Sequence, residues 1–159
     1  MNILVFKLGQ RSFGLELGYV CEVLRLGQVT PVPFAPPTLL GAMHVRGQVL
    51  PVVDLAPLLG EGASPPSIGA TCLRSQVESD HLLLHVGRVE EVIDVDDTDE
   101  SAPQSARPGL VERVQPTARG PLPLLSPEAV LAKLSEQLQE ALAWLHPDPE
   151  QRAAPRGGA

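Results

Sequence analysis

The sequence predicts a mainly β protein built from short strands, on three observations. The chain has 159 residues, a usual size for one domain or for two small subdomains that share a core. It contains 17 prolines and 14 glycines, spread along its length, which divide it into short segments joined by turns. Hydrophobic residues make up 43% of the chain but aromatic residues only 3%, so the core must be built from aliphatic side chains.

The first elements predicted are a hairpin and a short helix. Residues 3–17 alternate between apolar and polar around a glycine-containing turn, which indicates two antiparallel strands. Residues 19–26 place Val20, Val23 and Leu24 at helical spacing, which predicts one or two turns of amphipathic helix. This segment is short enough that a strand remains the open alternative.

A proline-rich connector and a buried strand come next. Residues 30–37 contain four prolines and cannot be helix, because proline excludes helix and biases the preceding residue toward extended geometry, so we expect an ordered connector stiffened by proline. Residues 45–55 begin with a turn at Arg46-Gly47-Gln48 and continue as a β-branched apolar run typical of a buried strand. Pro51 must then lie at an edge or a bulge.

The central part of the chain predicts a second hairpin. Residues 71–75 and 81–86 form its two strands, and residues 89–95 continue the apolar pattern as a further strand. The acidic segment 94–100 and the segment 101–109, which contains proline and serine, form the next loop.

The last element is an amphipathic helix over residues 126–146. Ser126 is a suitable N-cap, Pro127 suits the first helical position, and Glu128 complements the helix dipole. Residues 147–159 contain proline and glycine with little to bury, and we expect them to be a disordered tail. The apolar stripe of the helix consists of Leu131, Leu134, Leu138, Leu142 and Leu145.

Charge and composition exclude several function classes. The net charge is −7, and no cluster of lysine and arginine is available to neutralise phosphates, so nucleic-acid binding is not expected. No apolar run approaches eighteen residues and the first residues lack a basic leader, so the sequence predicts a cytoplasmic protein without membrane insertion. Cys21 and Cys72 are expected to be reduced thiols.

No combination of residues predicts catalysis. His81 and His85 lack the glutamate of a zinc motif and lie in a predicted strand. Asp94 opens a pattern similar to a calcium loop, but the glycine and the glutamate that such a loop requires are missing. His44 and Asp54 could serve a small hydrolase only with a serine recruited from elsewhere, since no G-x-S-x-G motif is present. We therefore expect no enzyme, cofactor or metal site, and keep the His44–Asp54 hydrolase as an unfavoured alternative.

Six short motifs follow one another in a fixed order along the chain. They are Leu4-Val5-Phe6 with Phe13-Gly14-Leu15, Val20-Cys21-Glu22-Val23, Arg46-Gly47, Pro51-Val52-Val53-Asp54-Leu55, Val86-Gly87-Arg88-Val89-Glu90-Glu91-Val92, and Leu124-Leu125 before the last helix. Together these motifs resemble the CheW-type adaptors, the coupling proteins of bacterial chemotaxis. The departures are His44 and Gly87, where the family usually has Asn and Asp, and Ser126, near which it usually has Asp.

The resemblance implies two SH3-like β-barrel subdomains around a shared apolar seam, with a short helix after the first hairpin and a C-terminal amphipathic helix. Residues 1–146 would form this single CheW-like domain. The implied function is a non-catalytic cytoplasmic adaptor, recruited to membrane-associated receptor arrays. It would bind the cytoplasmic hairpin tip of methyl-accepting chemoreceptors and the regulatory domain of a histidine kinase. A regulatory β-barrel acting outside receptor arrays is the alternative.

The resemblance also indicates which residues serve this function. It implies that Arg46 forms a bidentate ion pair with Glu22, which would tie the turn to the predicted short helix. Asp54 would have a structural role. Ordinary packing or solvent exposure is the competing interpretation for each residue. The residues that would line or support the receptor and kinase surfaces are Val20, Glu22, Val23, Gly41, Arg46, Gly47 and Val49.

Overall fold

The computed structural model describes residues 1–61, 67–96 and 109–145, with side chains as far as residue 139. Within these ranges it has ten strands, two α-helices and one turn of 3-10 helix. The elements are β1 (Asn2–Leu8), β2 (Arg11–Glu16), the 3-10 turn (Leu17–Tyr19), β3 (Val20–Arg25), β4 (Leu39–Val45), β5 (Gln48–Asp54), α1 (Leu55–Leu59), β6 (Thr71–Val77), β7 (Asp80–His85), β8 (Arg88–Asp94), β9 (Val111–Thr117), β10 (Gly120–Leu125) and α2 (Pro127–Leu145).

The strands form two five-stranded sheets. The first sheet has the order β8-β1-β2-β10-β9 and the second the order β3-β6-β7-β5-β4. The chain after β3 closes the second sheet into a barrel. Here the N–H of Thr30 donates to the carbonyl of Ala42 at 2.8 Å, and the N–H of Ala42 donates to the carbonyl of Thr30 at 2.9 Å. This closure protects strand edges that would otherwise be exposed.

Each sheet has an apolar interior, and a third cluster of buried side chains joins the two sheets. Along β1, Ile3 and Val5 pack inside the first sheet, whereas Leu4 and Phe6 point to the shared cluster. The period-two alternation of a strand makes this division possible. The shared cluster takes residues from both sheets and both helices, so the predicted apolar seam is confirmed. Its members outside β1 include Phe13, Leu15, Val53, Leu55, Leu73, Leu82, Leu84, Leu125, Val130 and Leu134.

The segment predicted as a short helix is mostly a strand. One 3-10 turn follows the first hairpin at Leu17–Tyr19, but residues 20–25 form β3 and pair with β6, so the strand alternative is the correct one. Exposure along β3 alternates with period two, with Val20, Glu22 and Leu24 half-buried. A helix this short gains little from its own hydrogen bonds, whereas the strand gains the pairing with β6.

The other predicted elements agree with the structure in position. Both hairpins and the strand after the second hairpin are present, and Pro51 lies in the part of β5 that pairs with β4 but not with β7. The predicted C-terminal helix is α2, and the Ser126 hydroxyl accepts a hydrogen bond from the N–H of Ala129 at 3.2 Å. Strands β4, β9 and β10 and helix α1 were not predicted as separate elements.

Two predicted features lie outside the described residues. These are the tail 147–159 and most of the loop between β8 and β9. Among the described residues, no helix is both long and apolar enough to cross a bilayer.

Candidate functional site

The turn between β4 and β5 has a geometry that its sequence favours. Val45 and Gln48 pair across the hairpin, which leaves Arg46 and Gly47 as its two loop residues. Both have positive φ, +47° for Arg46 and +81° for Gly47. Such two-residue turns match the twist of the adjoining strands, and glycine adopts this conformation without strain. The turn presents Arg46 at the end of the second barrel with its side chain 69% exposed.

The predicted ion pair between Arg46 and Glu22 is confirmed. Arg46 Nη1 donates to Glu22 Oε1 at 2.9 Å, and Arg46 Nη2 donates to Glu22 Oε2. This bidentate geometry holds both groups in one plane. The hydrogen bond from Arg46 lowers the pKa of Glu22 below its usual value, and the same bond raises the pKa of Arg46. Because Glu22 lies on β3, the pair connects the turn to a strand rather than to the predicted helix.

A second arginine, not singled out from the sequence, extends this pair into a network. Arg74 on β6 donates from Nη1 to Glu22 Oε1 at 3.2 Å and from Nη2 to Gln48 Oε1 at 2.8 Å. Its Nε donates to His81 Nδ1 at 3.3 Å. The Arg74 side chain is only 11% exposed, so it is the inner member of the network. Glu22, Gln48, Arg46, Arg74 and His81 are called the polar cluster below.

The polar cluster closes one end of the second barrel. Alternation along the strands places Arg74 on the same face as Cys72, and His81 on the same face as Leu83. Cys72 and Leu83 belong to the buried interior of this barrel. The interior therefore changes from apolar to polar toward the turn that contains Arg46. A network that fills the barrel end and remains hydrogen-bonded holds exposed charge in a fixed position.

Two valines from the predicted set are exposed on the outside of the second sheet. Val23 on β3 is 51% exposed and Val49 on β5 is 60% exposed. In the sheet order, β6 and β7 lie between these strands, so the two valines are not on neighbouring strands. Val49 lines a groove of about 600 Å³ beside α2, whose apolar walls include Leu131 and Leu138. An exposed valine beside an apolar groove, as Val49 is here, is suited to packing against a partner.

The remaining predicted residues have positions that support the fold. Val20 is half-buried and packs against the shared seam. Gly41 is buried with φ +148°, and a Cβ there would lie 2.3 Å from the carbonyl oxygen of Thr30. Gly41 therefore permits the close approach that closes the barrel. Gly47 has open space around its Cα, so only its φ favours glycine.

Asp54 lies away from the polar cluster, in a buried position. Its carboxylate Oδ1 accepts a hydrogen bond from the N–H of Ala56 at 3.3 Å, which makes it the N-cap of α1. The same oxygen lies 3.5 Å from His85 Nδ1. The exposed His44 pairs with Val49, five residues before Asp54, which is about 16 Å along the strand. The structure therefore does not bring His44 and Asp54 together as a hydrolase would require.

Two of the three departures from the adaptor pattern have a structural reason. A Cβ at position 87 would lie 2.7 Å from the carbonyl oxygen of Lys7, so the backbone here leaves no room for a side chain without a shift. The N–H of Gly87 donates to that same carbonyl at 2.9 Å. At the start of α2, Ser126 supplies the N-cap that an aspartate could also supply.

Comparison with known proteins identifies the family. The model of the CheW-like domain matches residues 2–135. The chain belongs to the CheW-like family. A solved CheW-like structure, that of the scaffolding protein TtCheW from Thermoanaerobacter tengcongensis, is similar to it with a TM-score of 0.73 and 26% sequence identity. That similarity covers 79% of this chain and 88% of the other. The two-subdomain SH3-like architecture is thereby confirmed.

Curated CheW-like relatives match over shorter stretches. The chemotaxis protein CheW of Rhizobium meliloti (strain 1021) is 33% identical over 98 residues, which cover 62% of this chain and 63% of that protein. Protein FrzA of Myxococcus xanthus is 42% identical over 57 residues, or 36% of each chain. Protein PilI of Pseudomonas aeruginosa is 38% identical over 60 residues, covering 38% of this chain and 34% of that protein. The matches thus span less than two thirds of these relatives' own length.

Proposed function

We propose that this protein is a non-catalytic adaptor that couples chemoreceptors to a histidine kinase in a bacterial chemosensory array. Its partners are the cytoplasmic hairpin tip of the receptors and the regulatory domain of the kinase. It acts in the cytoplasm and reaches the membrane by binding the receptors. Membership of the CheW-like family and the similarity to relatives named for chemotaxis support this proposal.

The single observation that carries the proposal is the bidentate pair of Glu22 and Arg46 at the end of the second barrel. Arg46 is 69% exposed, but both of its terminal nitrogens are held by Glu22, which is itself held by Arg74. An exposed arginine usually loses side-chain entropy when a partner binds it. Here that loss has already occurred on folding, so the surface is preorganised for binding.

Apolar surface beside this charged group completes the proposed contact area. Val23 is exposed on β3, the strand that carries Glu22. Val49 is exposed on β5, the strand that follows the turn with Arg46. Gly47 keeps the turn narrow, while Val20 and Gly41 support β3 and β4 from within. The groove between β5 and α2 is of a kind that accepts an apolar helix face. The receptor hairpin is helical, and we propose that it packs here.

The kinase is proposed to bind by contact between barrels. Its regulatory domain shares the fold of the adaptors, and domains of one fold can pair end to end. Two rival functions are weaker. A regulatory barrel outside receptor arrays would use the same surfaces with other partners. A hydrolase would need His44 and Asp54 in one site, and the structure separates them.

The proposal is tested by titration calorimetry with two purified partners, the kinase regulatory domain and a receptor fragment that contains the hairpin tip. We expect heat of binding with each partner. No heat with either partner at high micromolar concentration would contradict the proposal. Binding of the kinase domain alone would support a regulatory role without receptors. Gly18→Ala is the control substitution and should leave binding of both partners unchanged, because no atom lies within 4 Å of a Cβ built at this position.

A further inference from the structure

A groove of about 660 Å³ separates the two edges of the first sheet. Strands β8 and β9 are the outer strands of this sheet, and each pairs on one side only, β8 with β1 and β9 with β10. Val5 and Leu122 form the apolar part of the groove lining. Unlike the second sheet, which the bridge at Thr30 closes, the first sheet has no described strand that pairs β8 with β9 across this groove.

A buried amide in the groove has an unused hydrogen-bond acceptor. Gln115 lines the groove and is only 1% exposed, and its Oε1 has no hydrogen-bond partner among the residues that the structure describes. Its Nε2 donates to the carbonyl of Pro116 at 3.5 Å, at the limit of hydrogen-bond length. A buried acceptor that is left unpaired destabilises the folded protein, because it has lost its hydrogen bonds to water. A ligand that donates to this oxygen would relieve that destabilisation.

The charge of the groove indicates what kind of donor it takes. Its lining includes the four carboxylates Glu90, Glu91, Asp94 and Asp96 but one arginine, Arg119, and the Met1 ammonium pairs with Asp94 at 3.3 Å from outside the lining. Arg119 reaches across from the β9–β10 turn and contacts Glu91 at 2.8 Å and Glu90 at 3.9 Å. The Arg119 side chain is 74% exposed, whereas that of Glu90 is 15% exposed. The acidic lining therefore attracts a cation. The largely exposed Arg119 side chain is the cation present, and a cationic ligand could displace it.

The main chain of β8 offers the second means of recognition. Its outer edge has no partner strand in the described part of the sheet, so its backbone groups can pair with an added strand. The opposite wall is less suitable, because β9 carries Pro116, which has no N–H to donate.

We propose that this groove binds an extended, basic peptide segment of a partner protein. The segment adds as a strand to the free edge of β8. One of its lysine or arginine side chains enters the groove, donates to Gln115 Oε1 and pairs with Glu90. This surface belongs to the first sheet, whereas the polar cluster belongs to the second, so the inference does not depend on the proposed function.

The test uses the full chain and a fluorescent synthetic peptide of alternating lysine and valine, with glutamate in place of lysine as the control peptide. Fluorescence polarisation measures binding, and hydrogen exchange measures protection of the β8 amides. We expect the lysine peptide to bind and to protect residues 88–94. Gln115→Leu and Glu90→Gln should each weaken binding about tenfold, the usual effect of losing a hydrogen bond to a charged group.

A matched control separates the groove from general attraction to an acidic protein. Glu112→Gln removes the same charge from an exposed position on β9 outside the groove, and should leave binding unchanged. Melting temperatures check that each variant folds. The proposal is overturned if the lysine peptide does not bind, if Gln115→Leu and Glu90→Gln bind it normally, or if Glu112→Gln weakens binding equally. Dimerisation that is lost in Gln115→Leu would assign the groove to a second copy and would also overturn it.

Discussion

Two arginines that contact the same carboxylate have different surroundings in this protein. Arg46 is largely exposed and, among the described residues, bonds to Glu22 alone, whereas Arg74 is nearly buried and bonds to Glu22, Gln48 and His81. Exposed ion pairs contribute little to stability, and breaking a partly buried network costs more. We therefore propose that the guanidinium group serves recognition at Arg46 and folding at Arg74.

Arg46→Ala and Arg74→Ala test this division of roles. We expect Arg46→Ala to change the melting temperature by no more than about 2 °C, because the pair it removes is exposed. It should weaken binding of the receptor hairpin about tenfold. Arg74→Ala should lower the melting temperature by about 4 °C or more. Scanning calorimetry and titration calorimetry measure the two quantities, and equal loss of stability in both variants would refute the division.

Exchanging the charges of Glu22 and Arg46 should recover only part of the binding that Arg46→Ala loses. An arginine at position 22 would face Arg74, whose Nη1 lies 3.2 Å from the present carboxylate. Titration calorimetry with the receptor hairpin measures the recovery. Recovery to the full affinity would show that Arg74 has no influence on the pair. No recovery at all would assign Arg46 to direct contact with the receptor.

Tyr19 gives a titration signal from a single site, because it is the only tyrosine in the sequence. Its hydroxyl donates to Glu128 Oε1 at 2.6 Å, and this bond raises the pKa of Tyr19 to about 12. An unfolded tyrosine titrates near pH 10. The folded state thus holds the proton of Tyr19 more tightly than the unfolded state. The stability that the hydrogen bond to Glu128 contributes is therefore complete below about pH 10 and is lost as the pH rises toward 12.

Phenolate absorbance during an alkaline titration measures the pKa of Tyr19. We expect about 12 in the folded protein. In Glu128→Gln the pKa should move toward 10, because the charged acceptor is gone. Tyr19→Phe should abolish the signal and serves as the blank. A wild-type value near 10 would show that the bond between Tyr19 and Glu128 does not form in solution.

At the scale of elements, barrel closure depends on one glycine. Gly41 combines a positive φ with a Cβ position 2.3 Å from the carbonyl of Thr30, Gly47 has a positive φ alone, and Gly18 has neither. Substitution by alanine should therefore have graded effects on the free energy of unfolding. We expect about 2–3 kcal/mol at Gly41, about 1 kcal/mol at Gly47 and nearly none at Gly18. Urea denaturation measures the series, and any other order would contradict the proposed closure.

The elements that sequence analysis missed have local causes. Glu22 occupies a half-buried position on β3 because two arginines neutralise it. The sequence therefore has a polar residue where the alternation of a strand would require an apolar one. The remaining valines then happen to fall at helical spacing. Helix α1 is a single turn that contains Pro57 and has Gly60, with φ +73°, as its C-cap. It is too short to give a helical periodicity in the sequence. The hairpins β1–β2 and β6–β7 were predictable, since their alternation does not depend on distant partners. The hairpin β9–β10 was missed, because Pro116, Pro121 and Pro123 interrupt its strand pattern.

At the scale of the whole molecule, resemblance predicted more than periodicity could. Period-two patterns indicate strands, but not which strands share a sheet, and β3 joins β6 across a separation of about fifty residues. The pairing of Glu22 with Arg46 was available from the motifs. Arg74 was not, because its role depends on the register between β3 and β6.

Removal of the tail is a prediction at this scale. The chain lacking residues 147–159 should melt at the same temperature as the full chain, because the tail composition offers little apolar area to bury. Scanning calorimetry of both chains makes the comparison. A clearly lower melting temperature in the shorter chain would show that the tail packs on the rest of the protein.

The most direct test of the adaptor function is reconstitution of receptor control over the kinase. A receptor fragment with its hairpin tip, the histidine kinase and this protein are mixed, and kinase autophosphorylation is measured as each component is omitted. The account predicts that the receptor changes the phosphorylation rate only when the protein is present, and that Arg46→Ala largely removes the effect while Gly18→Ala keeps it. An equal effect of the receptor in the absence of the protein would contradict the account.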